Sequence, residues 1–394
     1  MVTQYDKLNK RSASSIMQQA MQQILNRIDE VNSLFISKVA TQVQRIGELN
    51  QSSINRLLIV ADMGMDIAEI TNRLQIATNM NVRDVFTVYQ QALNDTYTDQ
   101  RFRAFMQTNP ITPAGSARIN QFVRNVSVQT AQTMINISNT TVISQTYQDV
   151  VDKAITAVSS GVDDYKSAMR SAIHELGYNG MQVQYESGYH RRLDSAVRQN
   201  IIDGANQIAQ NASMMIGEEL GYDAVEISAH LRSAPDHEPV QGRVFLLSEY
   251  EKMQNGQDFT DVDGRHYEGF RRPIGEWNCM HFAMSFSTKH SVRRYTDEQL
   301  QEWKEANNKG CTINGKHYTT YQAVQLMRKI ETEVRREKDA AVAAQKAGDT
   351  TLREECQRRI NALSAQYGNI AKTAGITPRR DRMTVEGFRA IKVG

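Results

Sequence analysis

Between Ser14 and Leu49 the apolar positions Ile16, Ala20, Ile24, Ile28, Val31, Phe35, Val39, Val43, Ile46 and Leu49 recur every three or four residues, with no proline among them. That spacing lays one apolar stripe along one face of a helix. At 1.5 Å per residue such a helix is on the order of 50 Å long. A rod of this length cannot bury its stripe alone, so it calls for a helical bundle or an extended packing surface.

The helical pattern continues. Ser52 and Ser53 predict the cap of a second helix carrying Ile54, Leu57, Leu58 and Ala61 and stopping near Met63-Gly64. Shorter helices are expected over Ile67 to Leu74 and Val82 to Leu93, and Pro110, Pro113 and Gly115 mark a hinge. Helix resumes from Arg118 to Ser159, although the β-branched run Thr140, Thr141, Val142, Ile143 works against it. Asp163 and Asp164 start another helix that Gly177 ends, and Met181 to Tyr185 alternates like a strand. A long helix is predicted from Tyr189 to Leu220, with Gly221 as its C-cap. The 394 residues exceed one compact core and predict two or three sub-structures. Apolar content of 40%, charged content of 23% and a formal net charge of +2 exclude a disordered chain.

The character changes at Tyr222. Asp223 to Ala229, Arg243 to Leu247 and Met280 to Ser287 read as strands, and Asp263-Gly264 as the turn of a hairpin. Three of six prolines, one of two tryptophans and five of eight histidines fall between Tyr222 and His290, which makes this the chemically specified segment. Beyond it, Thr296 and Glu298 begin a helix, and Gly315 marks a turn. Tyr318 to Gln345 is a charged helix that breaks at Gly348-Asp349, and Leu352 to Tyr367 is another. From Lys289 onward there are 21 Lys/Arg against 13 Asp/Glu, so the carboxyl region carries the basic excess. A basic end suits DNA or an acidic protein face, though a solvated helix of mixed charge is the simpler reading. The expected fold class is α+β, mostly α-helical: long helices around a small mixed α/β core with short antiparallel strands.

The sequence MVTQYDKLNKRSAS at the amino terminus lacks a signal-peptide apolar stretch, and no window reaches the roughly 20 apolar residues that span a bilayer. The expectation is a product assembled in the host cytoplasm, with no membrane partner. Cys279, Cys311 and Cys356 are too widely spaced for a disulfide framework, so reduced thiols are expected.

Four ordered blocks carry a family resemblance. They are Tyr189 to Arg198 (YHRRLDSAVR), Ile227 to Phe245 (ISAHLRSAPDHEPVQGRVF), Trp277 to His281 (WNCMH), and Gly315 to Gln322 (GKHYTTYQ) with the following Arg328 to Glu331 and Arg335. A weaker echo lies between Arg382 and Phe388. On these the chain resembles phage minor capsid protein 2, a group related to the MuF-type minor head proteins of tailed phages. The resemblance implies a structural protein of the virion, present in few copies at the portal vertex of the phage head. It implies the portal protein as partner, with the major capsid protein and packaged DNA as further contacts, and help in head assembly, DNA packaging or ejection. No small-molecule substrate is expected. The regions are then 1–115, an amino-terminal helical arm; 116–221, helical; 222–290, the MuF-like mixed α/β core; and 291–394, a basic helical region.

His230, His237, Cys279 and His281 offer nitrogen and sulfur donors that suit zinc. MuF-type relatives tend to have Asn-Cys-Arg-Cys where this chain has Asn-Cys-Met-His, and cysteine and histidine interchange as zinc ligands. The Cys-x-His spacing is tighter than the usual two-residue gap, and no Cys-x-x-Cys accompanies it. Two readings stay open: a structural zinc, or a hydrogen-bonded histidine cluster that fastens loops, the simpler of the two. A third, a hydrolase or transferase centred on His237 and Cys279, needs a nucleophile–base pair. The chain is read as no enzyme; it has neither a Gly-rich phosphate loop nor a Gly-x-Ser-x-Gly elbow. Pro235, Asp236, Gln241, Gly242, Arg243, Trp277 and Asn278 are expected to shape and tie the loops. Arg328, Arg335, Arg336 and Lys338 are candidate non-specific DNA contacts. Glu331, Glu333, Glu337 and Asp339 on the same helix oppose that attraction.

Overall fold

The computed structural model describes residues 15–48, 53–98, 113–160, 165–277, 279 and 281–393. Among the calls above, Ser14, Leu49, Ser52, Pro110, Asp163, Asp164, Asn278 and Met280 lie outside the described residues.

The apolar stripe folds as predicted into α1 (Ser15–Glu48). Ile24, Ile28, Val31, Phe35, Val39, Val43 and Ile46 are all buried. The chain then forms α2 (Ser53–Thr98), a single helix where three were expected. Gly64 does not stop it: a mid-helix glycine costs about 1 kcal/mol. Burial of Ile59, Met63, Ile70, Leu74, Val85 and Val88 on either side outweighs that cost. At 1.5 Å per residue α2 is on the order of 70 Å long. The ion pairs Arg27–Asp84, Lys38–Asp66 and Arg45–Asp62 descend along α2 as they ascend along α1, so the two helices run antiparallel.

The expected helix from Arg118 to Ser159 is split into α3 (Pro113–Asn139) and α4 (Ser144–Ser160). The β-branched run causes the break. The Thr140 and Thr141 hydroxyls donate back to the carbonyls of Asn136 and Ile137, and Thr141 pairs with Val183. After α5 (Tyr165–Asn179), β1 (Gln182–Gln184) and β2 (His190–Arg192) form a hairpin that turns at Gly188, φ +79°. The long helix α6 (Leu193–Glu219) therefore starts later than predicted, and Gly221, φ +67°, follows its end.

Next comes an antiparallel three-stranded sheet in the order β4-β3-β7, with β3 (Ala224–Ile227) between β4 (Val244–Leu246) and β7 (Ala283–Phe286). A short helix, α7 (Leu247–Gln254), and the hairpin β5 (Phe259–Thr260)/β6 (His266–Tyr267) complete this unit. The sheet sits on α6, where Ser285 Oγ donates to Ser213 O and Gly217 leaves room for the Ser285 side chain.

Thr296 caps α8 (Asp297–Lys309) through Gln299 N. The hairpin β8 (Cys311–Ile313)/β9 (Lys316–Tyr318) leads into α9 (Thr320–Lys346), which a Thr319/Gln322 capping box opens. Gly348 turns the chain, and Asp349 caps α10 (Thr350–Thr373). The two halves of α9 serve different cores. Ala323, Met327, Ile330 and Val334 pack with Ile360, Tyr367 and Ile370 of α10. Ala340 to Ala344 join the large core shared by α1 to α6. At Gly177 a Cβ would lie 2.2 Å from the Ala340 backbone, so α5 and α9 touch main chain to main chain. Helix α9 is thus a strut between the amino-terminal bundle and the carboxyl hairpin. The whole is mostly helical α+β with short antiparallel strands, and among the described residues no helix is long and apolar enough to cross a membrane.

Candidate metal centre and a buried ionic lattice

The loop between β3 and β4 leaves and rejoins the sheet through two ladder bonds, Ile227 N to Arg243 O and Gly242 N to Ile227 O. Gly242 adopts φ +66°, and a Cβ there would meet the Leu300 side chain at 2.8 Å. Arg243 pairs with Asp297 (2.6 Å), and Arg293 donates to the Gly242 carbonyl. Within this closed loop, Ala234 O accepts from His237 N and Glu238 N, turning the chain so that the His237 ring faces inward. Pro235 and Asp236 stay at the surface.

The second half of the cluster comes from the segment entering β7. Trp277 is exposed, with φ +50°, a left-handed conformation that tightens the turn before Cys279. Ser228 N donates to Phe282 O, and Phe282 N donates to Ser228 Oγ, which ties this segment to the end of β3.

Together these turns place three buried donors side by side. His237 Nδ1 lies 3.1 Å from Cys279 Sγ, and His281 Nδ1 lies 3.6 Å from the same sulfur. The three donor atoms fall within 4.8 Å of one another. The outer nitrogens are occupied. His237 Nε2–H donates to the Arg272 carbonyl at 2.8 Å, and His281 Nε2 faces Gln241 Oε1 at 3.4 Å and Ser233 Oγ at 3.3 Å. A carbonyl accepts only, so His237 carries its proton on Nε2 and turns the Nδ1 lone pair toward the sulfur. His230 stacks on His281 with ring centroids 4.2 Å apart; its backbone N–H donates to Gln241 Oε1, and its buried Nε2 has no hydrogen-bond partner.

Burial sets the electrostatics. It lowers the His230 pKa to about 4, helped by Arg232, and lowers those of His237 and His281. It raises that of the Cys279 thiol. Neutral imidazoles around a protonated thiol are the reverse of an activated Cys–His nucleophile pair, which needs a depressed thiol pKa and access. Arg272 was not foreseen from the sequence. Its guanidinium grips Asp236 with two bonds (3.1 and 2.7 Å), while its carbonyl fixes the His237 tautomer. The signal was Pro273, which disfavours a helical conformation in the residue before it.

A second convergence joins the first and fourth blocks. Arg192 donates to Asp339 (2.6 Å) and to Asp194 (3.3 Å), and Arg335 pairs with Asp194. Burial alone would raise the Asp194 pKa, but Arg335 and Arg192 beside it hold that carboxyl well below the usual range. Asp29 of α1 adjoins this lattice; burial, then Asp194 and Asp339, push its pKa up to about 8. Three of the four candidate DNA contacts are engaged within the chain. Arg335 is in this lattice, Arg336 stacks on Tyr178 and bonds Glu333, and Lys338 donates to Met383 O. Burial lowers the Arg328 pKa.

The four sequence blocks thus meet in pairs, the second with the third around Cys279 and the first with the fourth around Asp194. The sequence matches the family of phage minor capsid protein 2 over residues 3–369, which takes in the long helices as well as both convergences. The chain belongs to this family. It is also similar, at 22% identity over 275 residues, to a structural protein of Lactococcus phage LL-H, a match that covers 65% of this chain and 68% of that protein. No solved structure matches it. As a member of a phage minor capsid family, the protein is a structural component of a phage head, and its place is in the virion.

Proposed function

We propose that this minor capsid protein attaches at the portal vertex, and that it assists head assembly and the packaging or ejection of DNA by holding neighbouring subunits in place. The observation that carries the reading is the reach of the family match, residues 3–369, across helices far longer than the small sheet requires. The outer side of α2 supports it. Met65, Ile76, Met80 and Phe86 are 64%, 48%, 45% and 40% exposed. At roughly 100° per residue they fall within about 120° of arc, opposite the buried face of the same helix. Exposed Glu69, Asn72, Asn79 and Arg83 share that arc, so the outer side is mixed; the four exposed apolar side chains among them offer contacts to another protein beyond those α2 makes in its own core.

Purified portal rings and the full chain are mixed and sedimented. The expected result is co-sedimentation, lost in the Met65→Asp/Ile76→Asp double variant while its melting temperature is kept. Free sedimentation of the unaltered chain contradicts the reading.

A further inference from the structure

We propose that His237 Nδ1, Cys279 Sγ and His281 Nδ1 are ligands of a structural zinc ion. The inference does not depend on which virion partner the chain meets.

The spacing is the first argument. Zinc bonds to sulfur at about 2.3 Å and to imidazole nitrogen at about 2.0–2.1 Å, so sulfur and nitrogen on one tetrahedral ion lie roughly 3.5 Å apart. The two sulfur–nitrogen separations here are 3.1 and 3.6 Å. The second argument is the arrangement behind the donors. A zinc-bound histidine normally passes its other ring N–H to a carbonyl or a similar acceptor, which fixes the tautomer and aims the lone pair. His237 does this with the Arg272 carbonyl, and His281 has Gln241 Oε1 in the same position. A cluster serving only as hydrogen-bonded packing has no need for both inner ring nitrogens to face one sulfur.

The donor chemistry selects the metal class. Two imidazoles and a thiolate, without a carboxylate, suit zinc and not magnesium or calcium, which require oxygen. His230 adjoins the three ligands, its ring stacked on that of His281 and its buried Nε2 without a hydrogen-bond partner, but it is not among the donors that fall within 4.8 Å of one another. Arg272 brings a positive charge close, with Nη2 3.5 Å from His237 Nδ1, but Asp236 offsets it through the two-bond grip. Binding takes the thiol as thiolate, its proton leaving to solvent, and no redox step is involved. The ion would bolt the loop between β3 and β4 to the entry of β7, which the ladder bonds join only at their ends.

The test is metal content. Full-length protein purified from zinc-supplemented cells, without chelator, is expected to hold one zinc per chain, reduced at least tenfold in Cys279→Ala and in His237→Ala. Cysteine-to-histidine replacement keeps a donor, so Cys279→His is expected to retain the metal. Cobalt in place of zinc should give the visible bands of a tetrahedral site and a thiolate-to-cobalt charge-transfer band that Cys279→His removes. Should the alanine variants fail to fold, the unaltered protein and Cys279→His still decide. A metal-free unaltered protein that takes up no cobalt overturns the proposal, as does equal zinc in folded Cys279→Ala.

Discussion

The long helices of residues 15–219 and the short strands of residues 222–290 both hold distant stretches of chain together, but they do so with differently distributed information. In the helices the work is spread over a stripe of Ile, Val, Leu and Ala, and each residue adds a modest amount of buried apolar surface. In the segment around Cys279 it rests on a few side chains whose exact atoms matter: one thiol, three imidazoles, Gln241 and the Arg272 carbonyl. In the first kind of region one side chain can be lost while most of the buried surface remains; in the second each side chain has particular partners that its removal leaves unpaired. The buried lattice of Arg192, Asp194, Arg335 and Asp339 belongs to the helical region by position and to the second kind by behaviour.

That comparison is breakable. Asp194→Ala should have the largest effect, because it strands Arg335 in a buried site and leaves Arg192 with Asp339 alone; breaking a pair of this kind costs about 3–5 kcal/mol. Denaturant unfolding followed by far-ultraviolet dichroism reads it, and a loss below 1 kcal/mol would show that water relieves the charges. Gly177→Ala comes next. The added methyl meets the Ala340 backbone, so α5 and α9 must separate, at a cost of about 1–3 kcal/mol in the same measurement.

His237→Ala should cost a similar amount without metal, about 1–3 kcal/mol for the orphaned Arg272 carbonyl and neighbouring groups. Its loss should be local. Hydrogen exchange should quicken between residues 228 and 286 and stay unchanged in α1 to α3; faster exchange throughout would erase the distinction between the two regions.

The comparison also sharpens through pH. Folded Asp29 keeps its proton up to about pH 8, whereas an unfolded aspartate ionises near ~4. Between those values the unfolded chain binds fewer protons than the folded one, so stability falls as pH rises and levels off above about 8. Asp29→Asn should flatten this slope and raise the melting temperature more at pH 8 than at pH 5. Parallel pH curves for the two proteins would remove Asp29 from the lattice.

How much was legible in the sequence follows the same division. The stripe of α1 could be read because periodicity repeats its message ten times, and the hairpin at Asp263-Gly264 because its turn residues are specific. Gly64 misled because a local propensity of about 1 kcal/mol was weighed without the packing that overrides it. The run from Thr140 to Ile143 did carry the break, yet the partner that makes it a strand edge, Val183, lies some 40 residues away in sequence. At the candidate metal centre the donors were visible as residue types. Their convergence was not, since it depends on the antiparallel β4-β3-β7 order bringing two loops to the same end of the sheet. The ionic lattice was invisible for the same reason: Arg192 and Asp339 are 147 residues apart.

In the proposed function the long helices dock on other virion proteins, while the histidine-rich loops lock the fold of the chain itself. Hydrogen exchange of the chain free and bound to portal rings separates these roles in one experiment. The prediction is slowed exchange on α2 from Met65 to Phe86, with no change between residues 228 and 286. Protection of the loops around Cys279, with α2 unaffected, would contradict it.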